Sequence, residues 1–75
     1  MTMYHVWIVK GRPIKLYKES KKGIFYCYRG KRKLFKDYRW IPSDSTEKEL
    51  LRFLLDKREV MSFTSLEEMR LMLVT

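Results

Sequence analysis

Hydrophobic and polar positions follow a short period in the first forty residues and a helical period after them. β-Branched and aromatic residues recur in short runs that three isolated glycines separate, which is typical of strands joined by turns. The runs predict strands at residues 4–9, 14–18, 24–29 and 34–40. Turns are predicted at Gly11 with Pro13, at 20–23, where Gly23 can adopt a positive φ, and at Gly30 with Lys31.

A helix is predicted after Pro42, where leucines repeat at helical spacing. Leu50, Leu51, Leu54 and Leu55 form one apolar stripe, and polar residues occupy the other positions. Thr46 and Glu49 have the spacing of a capping box, which predicts the start of the helix. Lys57 and Arg58 are expected in its last turn, where cations suit the helix dipole.

The last sixteen residues admit two interpretations. Thr64 to Glu67 has a second capping-box pattern, and Leu66, Met69 and Leu73 share one face of the helix that it would open. Val60 to Phe63 fits either a short strand or a connection between two helices. We favour a connection with weak extended character.

These elements predict one α+β domain spanning residues 1–75. Its first part, 1–42, is a three- or four-stranded antiparallel meander over about residues 4–40, and 43–75 is a helical segment. One or two C-terminal helices are expected to pack on one face of the sheet. A chain of 75 residues is too short for most enzyme folds and must commit nearly all its large apolar residues to one core or to a partner.

The net charge changes at the same point as the predicted secondary structure. The net charge is +8 overall, but residues 1–42 carry +10 and the remainder carries −2. Nine of the eleven aromatic residues lie at or before Trp40. The predicted sheet is therefore both basic and aromatic, which directs attention to anionic partners.

Candidate chemistry is sparse elsewhere. Cys27 and His5 are the only cysteine and the only histidine, so the chain can form no internal disulfide and lacks a thiol-based metal cluster. A catalytic pair of these two is unexpected, because a cysteine between strand aromatics is usually buried and inert. The glutamates lie in predicted first turns of helices. We expect no catalytic site, metal or cofactor, no membrane contact, and a cytoplasmic location.

Two kinds of side chain carry the functional prediction. Neutralising phosphates with cations gives affinity for nucleic acid, and exposed aromatic rings can stack on bases. The tightest cationic cluster surrounds Gly30 at a predicted hairpin tip, and two aromatic residues are candidates for stacking. The candidate site residues are Arg29, Lys31, Arg32, Lys33, Lys36, Arg39, Lys21, Lys22, Tyr28 and Trp40.

Other interpretations of the same residues stay open. The basic face also suits an acidic protein surface, with a few aromatic anchors giving most of the affinity. Cations on turns keep strands soluble, and aromatic residues are common in sheets for packing alone. The methionines near the C-terminus, Met61, Met69 and Met72, either close the core or form a homodimer surface.

A strongly basic three-stranded sheet followed by one helix, with the run from Gly23 to Arg29 opening the middle strand, resembles the small arm-site DNA-binding domains of phage integrases. The resemblance covers about residues 14–56 and leaves out the first strand and the last segment. It implies a sheet that enters the major groove of DNA. In size and composition the chain also resembles early phage proteins that inhibit host enzymes.

The sequence therefore predicts a small non-enzymatic regulatory protein that binds DNA or RNA, for example in transcription regulation. The alternative is a phage-type inhibitor that docks its basic face on an acidic surface of a host enzyme such as RNA polymerase.

Overall fold

The computed structural model describes residues 1–30 and 35–73, which form a five-stranded antiparallel sheet and two helices. The strands are β1 (Met3–Val9), β2 (Arg12–Ser20), β3 (Gly23–Tyr28), β4 (Arg39–Ile41) and β5 (Val60–Phe63), and the helices are α1 (Thr46–Asp56) and α2 (Leu66–Leu73). The strand order is β4-β3-β2-β1-β5. The predicted α+β class and the meander are confirmed.

Tight turns set the register of the meander. Lys10 and Gly11 both have positive φ, as a two-residue type I′ hairpin turn requires, and Val9 pairs with Arg12 across it. The next turn lies at Lys21 and Lys22, and Gly23 follows with the predicted positive φ of 129°. Side chains alternate between the two faces of each strand, so these turns also fix which residues share a face.

The fourth strand is shorter than predicted. Strand pairing resumes only at Arg39, although Phe35 makes an isolated bridge with Arg29. Asp37 has a φ of 63°, a left-handed conformation that interrupts an extended strand. Leu34 and the turn residue Lys31 lie outside the described residues.

The preference for a connection at Val60 to Phe63 was wrong. This segment is strand β5, and it pairs with β1 from Tyr4 opposite Phe63 to Trp7 opposite Val60. The alternation places Met61 and Phe63 on one sheet face and Val60 and Ser62 on the other. Pairing with β5 satisfies the hydrogen-bonding groups of the second side of β1, which would otherwise be an edge.

The two helices cover opposite faces of the sheet, which differs from the expectation that they pack on one face. Leu51 and Leu54 of α1 pack with Tyr17 and Ile41. Met69 of α2 packs with Val6, Leu16, Cys27 and Phe63 on the other side. Both faces are apolar, so each needs a covering element. Strand β5 follows α1 and precedes α2 in the chain, and because it lies in the sheet it takes the chain from one face to the other. We call these sides the α1 face and the α2 face.

Both helices begin one residue away from the predicted capping boxes. The N-cap of α1 is Ser45, and it makes no side-chain cap hydrogen bond to any described residue. Ser65 caps α2, because its Oγ accepts a hydrogen bond of 3.1 Å from the backbone N–H of Glu68. Lys57 is the C-cap of α1 and Arg58 follows it with positive φ, so both lie just past the last turn.

Candidate nucleic-acid interface

Among the cations that the structure describes, the most enclosed lies under α1. Lys15 is only 1 % exposed, and its Nζ lies over the rings of Tyr17, Tyr26 and Tyr28, at 4.9, 4.7 and 4.9 Å from their centroids. The alternation of β2 and β3 brings these residues together, since Lys15 pairs with Tyr28 and Tyr17 with Tyr26. We call Lys15, the three tyrosines and Glu47 the Lys15 cage.

Glu47 of α1 supplies the opposite charge. Its Oε2 accepts hydrogen bonds from Lys15 Nζ at 2.5 Å and from the Tyr17 hydroxyl at 3.3 Å. Burial lowers the pKa of Lys15, but the hydrogen bonds to Glu47 and Tyr17 outweigh it and the pKa is raised. Burial also raises the pKa of Tyr17. Lys15 is therefore a charged structural residue and contributes nothing to the basic surface.

Tyr28 is the most exposed member of the cage. It is 60 % exposed, with Lys15 over its ring and the Tyr26 ring perpendicular to it at a centroid distance of 6.0 Å. Arg39 lies on the same face, because it pairs with Tyr26 across β3 and β4, and it is exposed. An aromatic ring and a cation thus share the α1 face near the edge of the sheet.

Trp40 lies on the opposite side of the same edge. It pairs with Phe25, which places it on the α2 face, and it is 59 % exposed. The indole rests on Gly23, where an added Cβ would stand 3.0 Å from Trp40 Nε1. Lys21 and Lys22, both exposed, directly precede this glycine. A second exposed ring therefore lies beside a cationic turn.

The remaining predicted residues divide into three groups. Lys31, Arg32 and Lys33, which belong to the cationic cluster at the predicted hairpin tip, lie outside the described residues. Arg29 is half-buried, and its Nη1 donates a hydrogen bond of 3.4 Å to the Pro13 carbonyl oxygen. Lys36 is exposed in the segment before β4, next to the acidic Asp37. We use the name β4 edge for Tyr28, Arg39, Trp40, Lys36, Lys21 and Lys22.

The β4 edge is extended rather than one pocket. Lys21 and Lys22 lie at the end of the sheet where Ser20 pairs with Gly23, whereas Tyr28 lies at the other end of β3. Five residues of extended strand separate these positions, roughly 17 Å. The six residues of the β4 edge thus extend from the turn between β2 and β3 to the far end of β3, with an exposed ring on each face of the sheet.

The cysteine and the histidine lie on opposite faces of the sheet. Cys27 is buried on the α2 face, where burial and then the charge of Asp37 raise its pKa to about 11. His5 is buried on the α1 face, 2.7 Å from Ser62 Oγ through Nδ1 and 3.4 Å from Glu19 Oε1 through Nε2. Among residues 1–30 and 35–73, no three His, Cys, Asp or Glu side chains form a group suited to a metal ion.

Sequence reasoning did not find the Lys15 cage or the contacts of His5. Lys15 and Glu47 are 32 residues apart, and the sequence pattern carries no signal for such a pair. The alternation of side chains in β2 gives the only hint. It places Lys15 on the same face as Tyr17, opposite to the face of Ile14 and Leu16.

Comparisons with known proteins supply no relative: no family model, no curated protein and no solved structure matches this chain. In the part of the chain that the structure describes, no helix is long and apolar enough to cross a membrane.

Proposed function

We propose that this protein is a small non-enzymatic regulator that binds nucleic acid along the β4 edge. The proposal is supported by one arrangement, two exposed aromatic rings with four exposed cations along a single border of the sheet. Cations that neutralise phosphates release counterions, and exposed rings stack on bases of any sequence. In this proposal Arg39, Lys36, Lys21 and Lys22 contact phosphates, and Tyr28 and Trp40 contact bases.

The first experiment measures binding by fluorescence anisotropy of labelled single-stranded DNA, RNA and duplex DNA over a series of salt concentrations. If the four cations contact four phosphates, log affinity should fall with log salt at a slope of roughly −3 for single strands and roughly −4 for duplex DNA. The absence of binding to all three at low salt would refute the proposal.

A charge-matched pair of variants locates the interface. Replacing Lys21, Lys22 and Arg39 by Gln should reduce the single-strand slope by about 2. The control replaces Arg52, Lys57 and Arg70, exposed cations of the helical segment, by Gln. It changes the net charge equally and should leave the slope nearly unchanged. Equal effects of both triple variants would mean that total charge, and not the β4 edge, drives binding.

An acidic surface of a host enzyme is the second candidate partner, because Trp, Tyr and Arg are the residue types that dominate protein hot spots. A pull-down from nuclease-treated lysate distinguishes the two. A protein retained by the native chain and lost with Trp40→Leu favours the second candidate, whereas loss of every partner after nuclease treatment favours nucleic acid.

A further inference from the structure

The two exposed rings of the β4 edge face opposite sides of the sheet. Tyr28 and Arg39 lie on the α1 face, while Trp40 pairs with Phe25 on the α2 face. A flat ligand lying on either face can therefore reach only one of the rings. Any ligand that stacks on both has to pass around the border of the sheet.

That path runs along the outer side of β4. It has three residues and pairs with β3 on one side, and no other strand within the described residues pairs with its outer side. Arg39 immediately precedes Trp40 in this strand but points to the face of Tyr28. A cation thus lies between the two rings, on the path that a connecting backbone would take.

Each ring is held in place before any ligand binds. Lys15 Nζ lies over the Tyr28 ring, and the residue is still 60 % exposed. The Trp40 indole contacts the backbone at Gly23 through its Nε1 side, and the residue is 59 % exposed. Rings fixed in this way lose little freedom when a base stacks on them.

The stiffness of the nucleic acid decides whether a duplex or a single strand can follow this path. Duplex DNA has a persistence length of about 50 nm, so it does not fold around an edge one strand wide. A single strand bends freely and exposes its bases for stacking. Trp40 pairs with Phe25, and Tyr28 lies three residues further along β3, a distance of about 10 Å along the strand. The two rings lie on opposite faces of the sheet.

We infer that one single strand of nucleic acid crosses the border of the sheet at β4, stacking one base on Tyr28 and another on Trp40, with Arg39 contacting the backbone between them. This inference rests on the proposed function and specifies its ligand as single-stranded. At about 3.4 Å per stacked nucleotide, the offset of about 10 Å along β3 corresponds to roughly three nucleotides, and the passage around the border adds to this number.

The test measures anisotropy of labelled oligothymidines of 4, 8 and 12 nucleotides and of a hairpin duplex with an equal number of phosphates. Affinity should rise between 4 and 8 nucleotides, and the 12-mer should bind at least tenfold more tightly than the duplex. Tyr28→Leu and Trp40→Leu should each weaken 12-mer binding about 5- to 150-fold, the range found for loss of one stacked base. In either variant the gain from 4 to 8 nucleotides should largely disappear.

Phe53→Leu is the matched control, since Phe53 is an aromatic residue of similar exposure, 55 %, on α1. It should bind the 12-mer within twofold of the native chain. Leucine keeps apolar cover at each position, and circular dichroism checks that each variant is folded. If a variant is unfolded, two-dimensional NMR of the native chain with the 12-mer replaces it, with shifts expected at both Tyr28 and Trp40.

Different results would refute the crossing of a single strand and the proposed function. The crossing is refuted if either leucine variant binds the 12-mer within twofold of the native chain, if NMR signals move at one ring only, or if the duplex binds equally well. Salt-dependent binding would still support the proposed function in those cases. The absence of binding to any nucleic acid refutes both.

Discussion

Lys15 and Arg39 are two cations on the same face of the same sheet, and each lies opposite a tyrosine of β3. Lys15 is buried under α1 and paired with Glu47, whereas Arg39 is exposed at the border. The residue types are alike, so the cover provided by α1 makes the difference. A cation among aromatic rings stabilises the fold where α1 covers it, as at Lys15. At the uncovered border of the sheet, as at Arg39, the cation is available to a ligand.

The largest expected effect comes from breaking the Lys15 cage. Lys15→Met removes the charge and leaves Glu47 and the Tyr17 hydroxyl without their cation. Removing one partner of a buried ion pair costs about 3–5 kcal/mol, and Glu47 is partly exposed, so we expect a loss of about 3 kcal/mol in the free energy of unfolding. Urea denaturation followed by circular dichroism measures it.

Arg39→Met is the matched control at the exposed position. It should change the free energy of unfolding by no more than about 0.5 kcal/mol. The double variant Lys15→Met with Glu47→Leu should recover most of the lost stability, because a buried ion pair can be replaced by apolar side chains. Equal losses for Lys15→Met and Arg39→Met would overturn the comparison.

The next prediction tests whether the α2 face excludes solvent as the α1 face does. Burial raises the pKa of Cys27 to about 11 and that of Tyr38 to about 12. Above the ordinary pKa of a thiol, the unfolded chain has released the Cys27 proton and the folded chain has not. Stability should therefore fall as pH rises, by about 2 kcal/mol between roughly pH 8.5 and 10.5, and stay unaffected by these groups at lower pH.

Urea denaturation at several pH values checks this dependence. Cys27→Ala removes the titrating thiol, so its stability should fall less steeply over the same range, whatever its starting value. A native chain whose stability is constant up to pH 10.5 would show that solvent reaches the α2 face.

The smallest effect compares the starts of the two helices. Ser65→Ala removes the cap of α2 and should cost about 1 kcal/mol. Ser45 is the N-cap of α1, but its Oγ is buried and has no hydrogen-bond partner among the described residues. Ser45→Ala should therefore be neutral or slightly stabilising.

Thermal unfolding of both serine variants gives the comparison directly. A larger loss at Ser45 than at Ser65 would mean that the start of α1 depends on its cap and not on the contact between Glu47 and Lys15.

Much of the fold was predictable because it is locally encoded. Gly11 and Gly23 mark the first two turns, and Leu51 and Leu54 mark the buried face of α1. The strand at Val60 to Phe63 was missed because its partner, β1, lies more than fifty residues earlier. Of the candidate site, the exposure of Tyr28 and Trp40 decides their use, and exposure depends on where the helices lie.

The α+β class, the meander, the leucine helix and the basic, aromatic character of the first part are each a property of neighbouring residues, so the sequence alone predicts them. The folded structure adds that the helices cover opposite faces, that Lys15 is enclosed with Glu47, and that Tyr28 and Trp40 flank one border from two sides. Both sheet faces are apolar, so no local pattern tells them apart. Contacts between distant segments make that choice.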